Sequence, residues 1–142
     1  MKESTRLSAC NCFAVRQAAR RITRLYERHL SEADLTSAQF SILVLLDERN
    51  HATMTELAKL LGMDRTTLLR ALKPLQREHL IETHPSTADA RQHALSLSAA
   101  GLRKLREAAR LWRAAQTAFE AQVGSDQAAR LRRDLLALAE SD

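Results

Sequence analysis

Apolar residues recur at helical spacing along most of the chain, and the places where this spacing stops divide the chain into elements. From Ser8 to Ala33 the spacing predicts one long amphipathic helix. A second helix, capped by Thr36 or Ser37, runs through the segment AQFSILVLLDER. Because this segment is apolar on nearly every side, we expect it to be the buried central helix.

A short helix, a turn that contains glycine and a second helix follow. Thr53 or Thr55 can cap the first of these helices, and Gly62 stands where a helix C-terminus favours a positive φ. Asp64 can cap the next helix, DRTTLLRALKPLQREHL. This order predicts a helix-turn-helix. The leucines expected to hold its second helix in the core are Leu68, Leu69, Leu72 and Leu75.

The helical spacing stops after Leu80, where two short strands are predicted from Ile81 to Thr83 and from Ala94 to Ser98. The polar loop HPSTADARQH joins them, and a hairpin directly after a helix-turn-helix is a wing. Two further helices follow from Ala99. The predicted fold class is therefore mainly α with a small β-hairpin wing, a winged helix-turn-helix in a single domain of residues 1–142.

The second helix of the helix-turn-helix carries residue types that suit a DNA major groove. Arginine can pair with guanine through two hydrogen bonds, and threonine can bind a phosphate or contact a thymine methyl group. The formal net charge of +5 also suits a polyanionic partner. Alternatively, these are ordinary exposed charges that pair with Asp64 or Glu78. The candidates for DNA contact are Arg65, Thr66, Thr67, Arg70 and Lys73.

Two charged residues of the loop are candidates for a role in the wing. Arg91 at the wing tip is suited to an adjacent minor groove, whose negative potential attracts arginine. Asp89 is expected to hold a nearby arginine through a salt bridge. A simple pair of opposite loop charges is the alternative.

The segment ADARQHALSLSAAG resembles the wing signature of the multiple antibiotic resistance regulator (MarR) family, an Asp-x-Arg pair followed by Leu-x-Leu-Ser and then Gly. TSAQFSILVLLDE and MTELAKLLGMDRTTLLRALKPLQREHLIE resemble the same family in order and spacing. The resemblance covers essentially the whole chain. One departure is His79, where many relatives have glycine.

The resemblance implies a homodimer that interlocks through residues 1–33 and 99–142. Its two lobes, residues 36–98, would read a pseudo-palindromic operator in double-stranded DNA and repress a nearby gene. By the same match, Asp89 and Arg91 have the wing roles, and Arg65, Thr66, Thr67 and Arg70 make the groove contacts.

Two switches are candidates for releasing the DNA. The resemblance implies a cleft that commonly holds small aromatic acids, and the candidate lining residues are Phe13, Arg16, Gln17, Phe40 and Trp112. For Phe13, Phe40 and Trp112, simple core packing is the alternative. The rival switch is oxidation of Cys10 and Cys12. Residues two apart on a helix point to nearly opposite faces, so an intrachain disulfide would need an unwound N-terminus. A bond between subunits, or oxidation of one thiol, is therefore favoured. Alternatively, one cysteine is buried and inert and the other is incidental.

Other classes of protein find little support in the sequence. No phosphate-binding glycine loop, zinc-protease helix motif or nucleophile elbow occurs, so we expect no enzyme. The histidines show no ligand spacing with the cysteines, and neither a metal nor a cofactor is expected. No segment is typical of a signal peptide or a membrane span, which favours the cytoplasm and reduced thiols. The runner-up is a helical, dimeric protein-interaction module with incidental basic charge.

Overall fold

A computed structural model describes residues 5–86 and 91–141 of the chain. Within them the chain forms two compact units. One comprises the described residues up to His29 and from Trp112 onwards, and the other is Leu30–Leu111. The helices are α1 (Asn11–Leu30), α2 (Ser37–Arg49), α3 (Met54–Leu61), α4 (Arg65–Arg77), α5 (Ala99–Val123) and α6 (Ser125–Glu140). The strands are β1 (Ala52–Thr53), β2 (Ile81–Pro85) and β3 (His93–Leu97). No helix in this part of the chain is both long and apolar enough to cross a membrane.

The first helix is shorter than the spacing predicts, and the prediction is wrong at both ends. Leu7–Ala9 is a separate 3-10 turn, and Cys10 has extended backbone angles (φ −90°, ψ 114°) just before α1 begins. At the other end, Ser31–Ala33 forms a second 3-10 turn that ends at Asp34, whose φ is 56°. Aspartate tolerates this left-handed conformation because its short side chain can bond locally. Apolar spacing continues through such turns, so it does not mark the helix ends.

The predicted helix caps of the second unit are confirmed. Thr36 caps α2, and Thr53 caps α3, where its hydroxyl accepts from the main-chain N–H of Glu56 and the Glu56 carboxylate accepts from the N–H of Thr53. Each is a capping box, which satisfies two N–H groups that the first turn leaves without partners. Gly62 ends α3 at a φ of 63°. Gly62 at the end of α3 and Asp64, which caps the start of α4, shape the turn between these two helices.

The core of the second unit is built around α2, as predicted. Ile42, Leu43 and Leu46 of α2 are almost fully buried. From α4, Leu68, Leu72 and Leu75 are buried as well, at the i, i+4 and i+7 positions of one helix face. The prediction for Leu69 is wrong, since 40% of this residue is exposed. Three leucines on one face complete the inner side of α4, and Leu69 lies one residue off that row.

The hairpin is part of a three-stranded antiparallel sheet with the order β1-β3-β2. β2 and β3 pair from Ile81 opposite Leu97 to Pro85 opposite His93, so β2 is longer than predicted and β3 begins and ends one residue earlier. The strand β1 was not predicted, because two residues are too few to show alternation. Its Ala52 is fully buried and pairs with Leu95 of β3.

The turn from α4 into the wing keeps a conformation that favours glycine, although the residue there is His79. Its φ is 57°. The main-chain carbonyl of His79 accepts a hydrogen bond of 2.6 Å from the hydroxyl of Ser98. The position therefore has a left-handed backbone that suits glycine, while the residue that occupies it is histidine.

Candidate nucleic-acid interface

One face of α4 is buried and the opposite face is exposed and basic. Each residue predicted to contact DNA from this helix is exposed, and so is Arg77. The residues on this exposed face are Arg65, Thr66, Arg70, Lys73 and Arg77, with Thr67 at its edge. A helix with one basic, exposed face and one buried face is suited to entering a major groove from a fixed scaffold.

The cations of this face have no acidic partner among residues 5–86 and 91–141. Arg65, Arg70 and Lys73 form no ion pair there, either with Asp64 or with Glu78. The alternative of a structural ion pair is therefore not realised in the described structure. Their charge is available to phosphates or base edges.

Asp64 organises the first turn of α4. Its carboxylate accepts from the main-chain N–H of Thr67 at 2.8 Å and from the hydroxyl of Thr67 at 2.9 Å. These hydrogen bonds favour the charged form and hold the pKa of Asp64 below its ordinary value. Because the Thr67 hydroxyl donates its proton to Asp64, it has none left for a phosphate or a base. Thr67 can still offer its oxygen as an acceptor, or its methyl group.

The buried side-chain amide of Gln39 forms a hydrogen bond with the middle of α4. Gln39 of α2 is 8% exposed, and its side-chain nitrogen donates to the carbonyl of Ala71 at 3.4 Å. Its side-chain oxygen accepts from the N–H of Thr36 at 3.0 Å. Gln39 thus links the first turn of α2 to the backbone of α4. This link helps to fix how α4 is positioned and rotated relative to α2.

Of the two wing residues proposed to act in DNA binding, Arg91 lies within the part of the chain that the structure describes. Arg91 is exposed, just before β3. The hairpin is closed beside it by a hydrogen bond of 2.9 Å from the N–H of Ser86 to the carbonyl of Gln92. Asp89 lies outside the described residues, so its salt bridge stays a prediction.

The candidate switch residues fall in both units. Arg16 and Gln17 are exposed on α1, Phe13 on the same helix is half-buried, and Trp112 on α5 is half-buried; Phe40 belongs to the other unit and is buried in it. Cys10 is half-buried and Cys12 is exposed, and both are free thiols. The sulfur of Cys10 accepts from the N–H of Phe13 at 3.4 Å, so Cys10 occupies the cap position of α1. Among the residues described, no group of three or more His, Cys, Asp or Glu side chains is arranged to hold a metal.

The residue of this interface that the sequence interpretation missed is Leu69. It is exposed beside the basic residues of α4. A helical wheel of α4 gives the signal that was available, because Leu68, Leu72 and Leu75 already form a complete inner row and leave Leu69 to one side.

A helix-turn-helix with an exposed basic second helix, followed by an antiparallel wing, defines the class of winged helix-turn-helix DNA-binding proteins. The MarR family model matches residues 35–93 of the chain. The chain is 38% identical to the Mycobacterium tuberculosis transcriptional regulator MosR, solved in complex with DNA, over 91% of this chain and 92% of that one, with a TM-score of 0.79. It is 29% identical to the transcriptional repressor CouR bound to a 23-mer DNA duplex, over 94% and 95% of the two chains, with a TM-score of 0.85.

A curated relative agrees with these structures. The chain is 30% identical over 90 residues to the organic hydroperoxide resistance transcriptional regulator of Bacillus subtilis (strain 168), a match that spans 63% of this chain and 61% of that relative. The chain belongs to the MarR family of transcriptional regulators. Members of this family bind DNA and are not enzymes, which decides against both the enzyme and the interaction-module interpretations.

Proposed function

We propose that the chain is a homodimeric repressor that binds a pseudo-palindromic operator and releases it when Cys10 and Cys12 are oxidised. The observation that carries the DNA-binding part is the exposed cationic face of α4, which has no acidic partner in the described structure. In this proposal Arg65, Thr66, Arg70 and Lys73 contact the major groove, Thr67 does so through its oxygen or its methyl, and Arg91 enters the minor groove. Asp89 is proposed to form a salt bridge with a nearby arginine of the wing.

The homodimer is supported by apolar surface on the first unit. The α6 residues Leu135, Leu136 and Leu138 are 46%, 60% and 65% exposed, and Val15 of α1 is 47% exposed. A groove of about 560 Å³ runs beside them and is lined mostly by alanine and larger aliphatic side chains. Apolar surface of this kind is stabilised when a partner covers it. A second copy that contributes the same helices would bring two α4 helices to one duplex, with half-sites about 34–36 Å apart.

The thiol switch is supported by the position of the cysteines at the start of α1. Cys10 caps the helix and Cys12 lies in its first turn. A hydroperoxide would convert one thiol to a sulfenic acid and be reduced to the alcohol, and the second thiol would then displace water to form a disulfide. Because Cys10 is already extended, an intrachain bond requires less unwinding than a continuous helix would demand. A disulfide within the chain or between subunits would consume the Cys10 thiol, whose sulfur accepts from the N–H of Phe13.

The name of the Bacillus subtilis relative, an organic hydroperoxide resistance regulator, favours the same class of signal. A small aromatic acid is the second candidate effector. Arg16 and Phe13 favour it, since an exposed guanidinium lies one turn from a half-buried aromatic ring on α1. Gln17 of α1 and Trp112, which belong to the same unit, are the other candidate residues.

The test is fluorescence anisotropy on a duplex from upstream of the gene. Reduced protein should bind tightly, peroxide-treated protein should not, and dithiothreitol should restore binding. The variants Cys10→Ser and Cys12→Ser should resist peroxide, and mass spectrometry of the oxidised protein should show which thiols are joined. If the oxidised and reduced proteins bind equally, the thiol switch is wrong. Release by benzoate that is lost in Arg16→Ala would then support the aromatic acid.

A further inference from the structure

The exposed basic face of α4 includes one large apolar side chain. Leu69 is 40% exposed. On a helix, residues three and four apart are neighbours, so Leu69 lies next to Arg65 and Thr66 toward the start of α4 and next to the buried Leu72 and the exposed Lys73 toward its end. Arg65, Thr66 and Lys73 are residues proposed to contact DNA. Leu69 is therefore part of the surface that would enter the major groove.

Packing within the unit covers Leu69 only in part, since 40% of the residue is exposed. The inner face of α4 is complete with Leu68, Leu72 and Leu75, each at most 1% exposed. At about 100° of rotation per residue, Leu69 is turned by about 100° from Leu68 and by about 60° from Leu72, which places it at the border of that row. An apolar side chain gains free energy only when another apolar surface covers it. The position therefore suits a partner with an apolar group at the same depth as its charged groups.

Double-stranded DNA has such a group in its major groove. The C5 methyl of thymine is an apolar feature beside the hydrogen-bonding edges of the bases, and it is absent from the other bases. The cations around Leu69 supply the charge complementarity for the phosphates on either side. A neighbouring candidate for the same contact is Thr67, but Asp64 holds its hydroxyl toward the start of α4.

We propose that Leu69 is a specificity-determining residue that contacts a thymine methyl group in each half-site. This inference rests on the proposed function, in which α4 is the helix that reads the major groove. It assigns part of the sequence preference to an apolar contact, in addition to the hydrogen bonds expected from Arg65 and Arg70.

The experiment compares two duplexes that differ only in the thymine methyl groups. The duplex from upstream of the gene is prepared once with thymidine and once with deoxyuridine in its place. Anisotropy then gives the affinity of wild type, Leu69→Ala, Leu69→Thr and Leu60→Ala for each. Leu60 of α3 is the matched control, because it is 43% exposed and lies outside α4.

Wild type and Leu60→Ala should bind the thymidine duplex about fourfold more tightly for each contacted methyl, the effect of burying about one methyl group. Leu69→Ala should lose most of that preference, and Leu69→Thr, whose γ-methyl group extends beyond the Cβ atom, should keep part of it. Circular dichroism confirms that the variants are folded.

Two results would overturn the proposal. One is a preference for thymidine in Leu69→Ala as large as that of wild type, and the other is no preference in wild type. Failure of the proposed function itself is distinguishable, because wild type would then bind the thymidine duplex no better than an unrelated duplex of equal length. That result would remove the role of Leu69 as well.

Discussion

Gly101 of α5 lies directly against the main-chain carbonyl of Leu80, between the end of α4 and the start of β2. A Cβ atom on Gly101 would overlap the oxygen of that carbonyl and would lie 3.0 Å from its carbon and 3.3 Å from Cδ2 of Leu97. Ser98 fastens the same junction, since its N–H donates to Leu80 at 3.0 Å and its hydroxyl donates to His79. The glycine of the wing signature thus permits a close contact between α5 and the backbone that leads from α4 into the wing.

The variant Gly101→Ala should be less stable than wild type. The backbone would have to move to admit the methyl group, and such overpacking costs about 1–3 kcal/mol. Alanine is otherwise the better helix former, so without the close contact the change would raise the free energy of unfolding. Urea unfolding measures the difference. The control Ala99→Ser lies in the same turn on the surface and should change it by less than about 0.5 kcal/mol; an unchanged or raised stability in Gly101→Ala would refute the contact.

The pH dependence of stability should include a contribution from Asp64. Its folded-state pKa is lowered, so the stabilising charged form is present above the ordinary pKa and is lost as the pH falls through the folded value. Between about pH 5 and pH 3, wild type should lose more unfolding free energy than Asp64→Asn, which can cap the helix but does not titrate. Urea titrations across this range make the comparison. Parallel profiles for the two proteins would show that the Thr67 hydrogen bonds do not stabilise the carboxylate.

Binding of DNA should weaken steeply with salt, and Lys73→Ala should make it less steep. A lysine that contacts a phosphate displaces a counterion, so its removal should reduce the slope of log K against log salt by about 1. Anisotropy at several salt concentrations gives this slope. Arg133→Ala is the control, because Arg133 is an exposed cation of α6 that is not among the residues proposed to contact DNA. If the slope of Lys73→Ala equals that of wild type, Lys73 does not contact a phosphate.

The substitution Leu136→Glu should weaken the proposed dimer. Each buried leucine is worth about 2 kcal/mol, and a two-fold interface contains it twice, which together predict a dissociation constant about a thousandfold higher. Sedimentation equilibrium measures the change. Leu60→Glu, with similar chemistry in the other unit, should leave the association unchanged. A dimer that persists undiminished in Leu136→Glu would place the interface elsewhere.

Much of the second unit could be predicted from the sequence, because its elements begin and end at residues with specific local chemistry. Thr36, Thr53 and Asp64 cap helices with their side-chain oxygens, and Gly62 takes the left-handed conformation that ends α3. The start of α1 could not be predicted in the same way. Cys10 caps it with a sulfur, and the apolar spacing continues through the preceding turn.

The exposed and buried sides of α4 were predicted only in part. The basic residues face outward as expected, but Leu69 was assigned to the core because it is apolar. A helical wheel indicates Leu69 as the outlying leucine, but the extent of its exposure also depends on contacts made from other elements, such as the hydrogen bond from Gln39 to Ala71. The strand β1 escaped prediction for a similar reason, since its pairing with β3 is not local.

The most direct test of the account is the preference of the reduced wild-type protein for a duplex from upstream of its gene over an unrelated duplex of the same length. Anisotropy at physiological salt should show binding tighter by about a thousandfold or more, as is typical of specific recognition, and Arg70→Ala should lose most of that preference. Equal affinity for the two duplexes, unchanged in Arg70→Ala, would contradict the claim that α4 reads an operator.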